Sequence, residues 1–113
     1  MREGALGVGS SLIYAPAYFA ETAELEALAR VAGESGGGYI SHIRNESYRL
    51  AQAIDEFLQI TRAGGGHGEI YHLKAAGEAN WPRMAQAMPQ PKSSIRIPAF
   101  SVTSSNCRPP RFL

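Results

Sequence analysis

Apolar and polar positions follow two rhythms in the first eighty residues. Leu25, Leu28, Ala29 and Ala32 recur at i, i+3, i+4 and i+7, one apolar face of a helix. Thr22 is the expected N-cap, and Glu24 and Glu26 suit the positive end of the helix dipole. Gly36-Gly37-Gly38 ends this helix. A second helix is expected from about Ser47 to Arg62, with Leu50, Ala53, Ile54, Phe57 and Leu58 on its inner face and Gly64-Gly65-Gly66 closing it. Three short runs have the other rhythm. Ala5-Leu6-Gly7-Val8 reads as a buried strand entering a turn at Gly9-Ser10-Ser11. Leu12 to Pro16 follows as a loop, because Pro16 holds Ala15 in extended geometry. Tyr39 to Ile43 and Glu69 to Leu73 lack clean polar alternation, as strands covered on both faces do. The order strand, loop, helix, strand, helix, strand is that of a parallel α/β fold. It does not choose between a doubly wound sheet and a barrel.

The last two strands nearly repeat one another. Tyr39-Ile40-Ser41-His42-Ile43-Arg44 and Glu69-Ile70-Tyr71-His72-Leu73-Lys74 both fit Ile-x-His-[Ile/Leu]-[Arg/Lys]. Adjacent parallel strands lie roughly 4.8 Å apart, so matched histidines on them could grip one metal ion. Neutral imidazole is a good zinc ligand. Strand alternation puts Ile40, His42 and Arg44 on one face, and Ile70, His72 and Lys74 on the equivalent face of the next strand. A cation beyond the metal suits an anionic substrate group, although Arg44 has Glu46 as an alternative partner. The same histidines also fit a core in which they are hydrogen-bonded and hold no metal. His67, among glycines at the start of its strand, reads as a surface residue at the opposite end from His72. Gly64-Gly65-Gly66 precedes a strand and not a helix, so it makes a poor phosphate cradle. Gly7-Val8-Gly9 does not extend to the dinucleotide pattern.

Composition adds a boundary. The chain has 113 residues, 44% hydrophobic and 19% charged, the size and balance of one small globular unit. A net charge of +1 gives no argument for nucleic acid or a membrane surface. No apolar run reaches the ~20 residues of a membrane span. The single cysteine, Cys107, excludes an intrachain disulfide, and the expected setting is cytoplasmic. All 12 glycines and all 10 acidic residues lie at or before Glu78, while six of the seven prolines lie from Pro82 onward. The expected division is therefore a folded segment over 1–84 and an irregular tail over 85–113. The tail reads as disordered or as the product of a frameshift, packing poorly from about Pro89.

Four stretches then carry a resemblance. They are Gly4-Ala5-Leu6-Gly7 with Leu12-Ile13-Tyr14-Ala15-Pro16, Ser41-His42-Ile43-Arg44-Asn45-Glu46, Ile70-Tyr71-His72-Leu73-Lys74-Ala75-Ala76-Gly77, and Asn80-Trp81-Pro82. Together they closely resemble the N-acyl-D-amino-acid deacylases (D-aminoacylases) of the amidohydrolase superfamily, over roughly residues 1 to 84. The resemblance implies an α/β fold, a partial (β/α)8 TIM-barrel fragment of about three parallel strands and two to three helices. It implies a hydrolase that uses zinc and water to cleave a small-molecule N-acyl-D-amino acid to a carboxylate and the free D-amino acid. It makes His42 and His72 the zinc ligands, Lys74 the partner of the substrate carboxylate and Tyr14 part of the pocket loop, with Arg44 a further cation. The family's His-x-His motif, its earlier metal ligand and its late general-base aspartate have no counterpart, for no Asp follows Asp55. No catalytic residue is expected here, and the chain alone is expected to be inactive. A complete barrel needs at least ~200 residues. A fragment would leave Ile40 and Ile70 facing water and two sheet edges open, so marginal folding or aggregation is expected. Two other readings of these residues are a noncatalytic α/β binding module and a fragment of a dihydroorotase-like amidohydrolase.

Overall fold

The computed structural model describes residues 2–87. Gly7–Ser11 forms strand β1, Thr22–Glu34 helix α1, Gly38–His42 strand β2, Leu50–Ala63 helix α2, Gly68–Ile70 strand β3 and Trp81–Ala87 helix α3. Single 3-10 turns precede α1 and α3, at Ala17–Phe19 and Glu78–Asn80. The strands lie side by side in the order β1-β2-β3 and are all parallel. α1 and α2 are the crossovers, and both pack on one face of the sheet and against each other. The tail expected from residue 85 starts within α3 and otherwise lies outside the described residues, as do Pro89 and Cys107.

The register decides which side chains meet the helices. Val8 pairs with Tyr39, Ser10 with Ser41 and Ser41 with Ile70. Paired residues on parallel strands share a face. On this face Tyr39 stacks on Phe57 with ring centroids 5.7 Å apart. Leu12, Leu25, Ala29, Ile43, Leu50, Ala53, Ile54, Leu58, Ile60 and Ala87 complete the buried cluster. All five residues expected on the inner face of α2 are in it. The expected turn at Gly9-Ser10-Ser11 is instead part of β1. Its serine suits a buried layer because Ser10 Oγ has partners there, Tyr39 OH at 2.7 Å and Ser41 Oγ at 2.9 Å.

Three further expectations shift. Leu28 is 47% exposed, so the buried face of α1 is narrower than its apolar spacing suggests. Glu21 takes the N-cap position, and the Thr22 hydroxyl donates instead to Glu56 Oε1 on α2 at 2.7 Å. β3 is three residues long, ending before His72, and its register sets Glu69 opposite Ile40. Ile70 therefore packs on the helix-side core, while Ile40 belongs to the open face with Gly7 and Gly9. Only one of the two isoleucines expected to face water is on that side.

Two glycines allow the crossovers to touch. A Cβ at Gly33 would lie 2.1 Å from the Gly64 carbonyl oxygen, and one at Gly64 would lie 2.8 Å from the Ala29 carbonyl oxygen. At Gly9, on the open face, a Cβ would meet Ile40 at an ordinary 3.6 Å. Gly33→Ala and Gly64→Ala should each cost about 1–3 kcal/mol by forcing α1 from α2. Gly9→Ala should be neutral or stabilising by up to about 1 kcal/mol. Urea unfolding of the three variants beside the natural chain measures the order.

Candidate metal centre

β2 and β3 deliver their histidines to the same end of the sheet by different means. His42 is the last residue of β2 and is buried. The loop behind it is set by Asn45, whose Oδ1 accepts from Ser47 N at 2.9 Å, Ser47 Oγ at 3.1 Å and Arg49 N at 3.0 Å. This Asx-type turn occupies donors ahead of α2 and leaves Glu46 turned inward at 5% exposure. His72 lies two residues past β3 with φ +34°, a left-handed conformation uncommon outside glycine. That turn, and not strand alternation, brings its ring across. Ala76 N donates to Glu46 O at 2.6 Å, and Asn80 Nδ2 donates to Ala76 O at 2.8 Å. The two carboxyl-end loops are thereby tied together.

The imidazoles of His42 and His72 stand edge to face with centroids 4.4 Å apart. Glu46 sits between them. Its Oε1 is 3.1 Å from His42 Nε2 and 3.5 Å from His72 Nδ1. One donor atom from each of His42, Glu46 and His72 lies within 4.8 Å of the others, close enough for a shared ion. Lys74 Nζ is 2.8 Å from Glu46 Oε1, 2.7 Å from Oε2 and 3.1 Å from His72 Nδ1. Tyr14 covers His42 edge-on at 5.5 Å and is itself exposed.

His42 Nε2 is buried and makes no hydrogen bond. The nearby Glu46 oxygen is within ion-pair distance but out of line. An orphaned buried nitrogen costs about 1–3 kcal/mol, and a cation between the two groups would answer it. Burial is the main force holding the His42 pKa below its ordinary value, helped by His72 and Lys74, while Glu46 pulls the other way. A neutral imidazole is the form that binds metal. The donor set, two imidazoles and a carboxylate, is one that zinc accepts.

One expected site residue falls elsewhere. Arg44, expected at the mouth beside the histidines or paired with Glu46, instead turns to the helix side. Its guanidinium grips both oxygens of Glu56, Nε to Oε2 at 2.9 Å and Nη2 to Oε1 at 2.9 Å, and also donates to the Tyr18 and Ala20 carbonyl oxygens. The strand ends at His42, so face alternation no longer governs Arg44. His67 is exposed at the amino end of β3, away from His72. Glu46 is the central residue that the sequence reading treated only as an ion-pair partner. Its signal was its place four residues after a histidine at a strand end.

Parallel strand–helix repeats with polar donors gathered at the carboxyl ends of neighbouring strands are how (β/α)8 barrels build their sites. Known proteins agree. An N-acyl-D-glutamate deacylase of Alcaligenes xylosoxydans xylosoxydans is 40% identical over 88 residues, 78% of this chain and 18% of the relative. The crystal structure of the N-acyl-D-glutamate deacylase of Bordetella bronchiseptica, complexed with zinc and a phosphonate inhibitor, superposes with a TM-score of 0.71 at 40% identity, over 74% of this chain and 18% of that one. A D-aminoacylase structure, described as defining a novel subset of amidohydrolases, gives 0.71 at 32% identity over 75% of this chain and 18% of its own. No family model matches the chain. Over the matched stretch the chain is homologous to part of the barrel of the D-aminoacylase amidohydrolases. It spans less than a fifth of the length of the relatives it matches.

The Arg44–Glu56 pair braces the loop that carries Glu46. Burial raises the Glu56 pKa, but hydrogen bonds from Arg44 and Thr22 outweigh it and hold the carboxyl below its ordinary value. A lowered folded pKa means the pair contributes fully above the unfolded value of about 4.3 and loses that contribution as pH falls through the folded value. Arg44→Met should cost about 2 kcal/mol at pH 7. The gap to the natural chain should close below about pH 4. Thermal unfolding at pH 7 and pH 3 checks both.

Proposed function

We propose that this chain is the part of an N-acyl-D-amino-acid deacylase that carries two metal-ligating histidines and the lysine facing the substrate carboxylate. The observation that carries the reading is the convergence of His42, Glu46 and His72 beneath an orphaned, buried His42 Nε2. Zinc is the ion we infer, from the donor set and from the zinc held by the Bordetella relative. Bound there, zinc supplies Lewis acidity toward an amide carbonyl and makes water more acidic.

The chain's own residues hold and orient. His42 and His72 would present ring nitrogens to the ion. Tyr14, edge-on to His42, shields that ring from water and offers an exposed wall to the substrate. Lys74, half-exposed at the rim, is the cation for a carboxylate. Arg44 has its donors occupied by Glu56 and two carbonyl oxygens, so its role here is to position the loop. The substrate class is an N-acyl-D-amino acid, and N-acyl-D-glutamate is the member named by the relatives at 40% identity. No Asp follows Asp55 in this sequence, so the late general base that the resemblance implies has no counterpart among its residues.

His42→Ala and His72→Ala should each weaken zinc binding at least about tenfold, since each removes one of few ligands. His67→Ala should leave it unchanged. Isothermal titration of the purified chain measures all three, and equal affinity across them would contradict the reading. Incubated with zinc and N-acetyl-D-glutamate, the chain should release no D-glutamate.

A further inference from the structure

Three hydroxyls run through the helix-side core to the peptide that carries His42. Tyr39 OH lies 2.7 Å from Ser10 Oγ, Ser10 Oγ lies 2.9 Å from Ser41 Oγ, and Ser41 Oγ lies 3.0 Å from the His42 carbonyl oxygen. Each hydroxyl has one proton to give, and a carbonyl oxygen only accepts. The order is therefore fixed from its far end. Ser41 donates to His42 O, so Ser10 must donate to Ser41, and Tyr39 to Ser10. Bonds aligned head to tail in this way polarise and strengthen one another.

The hydroxyl chain ends where the sheet stops holding β2 from both sides. The last pair of β2 with β3 is Ser41 with Ile70, one residue before His42. On the β1 side His42 is still paired with Ser11, and Leu12 N donates to its carbonyl oxygen at 2.9 Å. The Ser41 hydroxyl is the second donor to that oxygen. Side chains alternate along a strand, so Ser41 points toward the helices and the His42 ring toward the opposite side. A bond made in the core thus fixes the peptide from which the imidazole projects. Packing alone does not call for these groups. Tyr39 and Ser41 are both buried, and apolar side chains of the same shape would serve the core about as well.

We propose that Tyr39, Ser10 and Ser41 are positioning residues for His42, a one-way chain of hydroxyls that holds the last peptide of β2 and so the aim of its imidazole. They act through the His42 carbonyl and touch neither ion nor substrate. For its metal readout the inference rests on the reading of His42 as a ligand. Its second readout, the orientation of the ring in the metal-free chain, does not.

Cobalt(II) titration of the full chain, followed by its visible absorption, gives the first readout. Ser41→Ala should weaken cobalt binding about tenfold and shift the absorption band, as loss of a group that orients a ligand does. Tyr39→Phe, two bonds further from His42, should cost only about threefold, because the remaining bonds lose polarisation but stay in place. Phe57→Leu loosens the same core beside Tyr39 without removing a hydroxyl. It should lower the urea midpoint and leave cobalt affinity unchanged. Proton–nitrogen NMR of the histidine rings gives the second readout, and with three histidines in the chain the His42 signal is assigned by single replacements of the other two. In the metal-free state that signal should be single in the natural chain and in Phe57→Leu, and broadened or doubled in Ser41→Ala. Circular dichroism confirms that each variant is folded. Cobalt affinity falling in step with stability across all three variants, Phe57→Leu included, would overturn the positioning role and leave the metal reading standing. A natural chain that binds no cobalt would remove the metal reading. A His42 ring signal unchanged in Ser41→Ala would overturn the positioning role whether or not cobalt binds.

Discussion

A carboxylate taken out of water has to be answered by charge or by hydrogen bonds, and Glu46 sets that requirement for this end of the molecule. At 5% exposure it faces two imidazoles and one ammonium. Those partners come from the end of β2 and from the loop after β3, far apart in sequence. The sheet brings them together because consecutive parallel strands must end on the same side, and the crossover helix between them must return the chain to its starting edge. The Ala76–Glu46 backbone bond then fixes the spacing between the loops. A second carboxylate, Glu56, holds the far flank by taking Arg44 and Thr22 together. The two acids divide the neighbouring cations between them, Arg44 to one and Lys74 to the other.

Such a cluster is costly to a chain that has no ligand for it. Charged and polar groups are desolvated, a histidine nitrogen is left without a partner, and His72 is held at a positive φ. Strain and unsatisfied groups of this kind gather at functional sites. The rest of the described fold is ordinary by comparison. Its helix-side core is largely apolar, and the hydroxyls of Ser10 and Ser41 within it are paired, although the Thr61 hydroxyl of α2 is buried without a partner. Among the described residues the candidate metal donors gather at the carboxyl ends of the strands, where parallel α/β folds place their sites.

Much of this was legible in the residues. Two helices with clear three- and four-residue spacing, the parallel order and the paired histidines all follow from pattern, and the family follows from the motifs around His42 and His72. What pattern could not supply was register. Strand alternation assigned Ile70 and Arg44 to the histidine face, but β3 pairs Glu69 with Ile40, and β2 stops before Arg44. Gly9-Ser10-Ser11 reads as a turn by composition, yet tertiary pairing with β2 makes it a strand. Glu46 was visible only as a nearby opposite charge. Its burial depends on the Asn45 turn and on a loop thirty residues away, and neither leaves a local periodic trace.

The central claim is that His42, Glu46 and His72 act as one donor set. X-ray absorption at the zinc edge, on the full chain loaded with one equivalent of zinc, tests it most directly. The account predicts two imidazole nitrogens at ~2.0–2.1 Å and at least one oxygen at ~2.0–2.2 Å, with no sulfur shell. A spectrum with fewer than two imidazoles, or one with a sulfur ligand at ~2.3 Å drawn from Cys107, would contradict it.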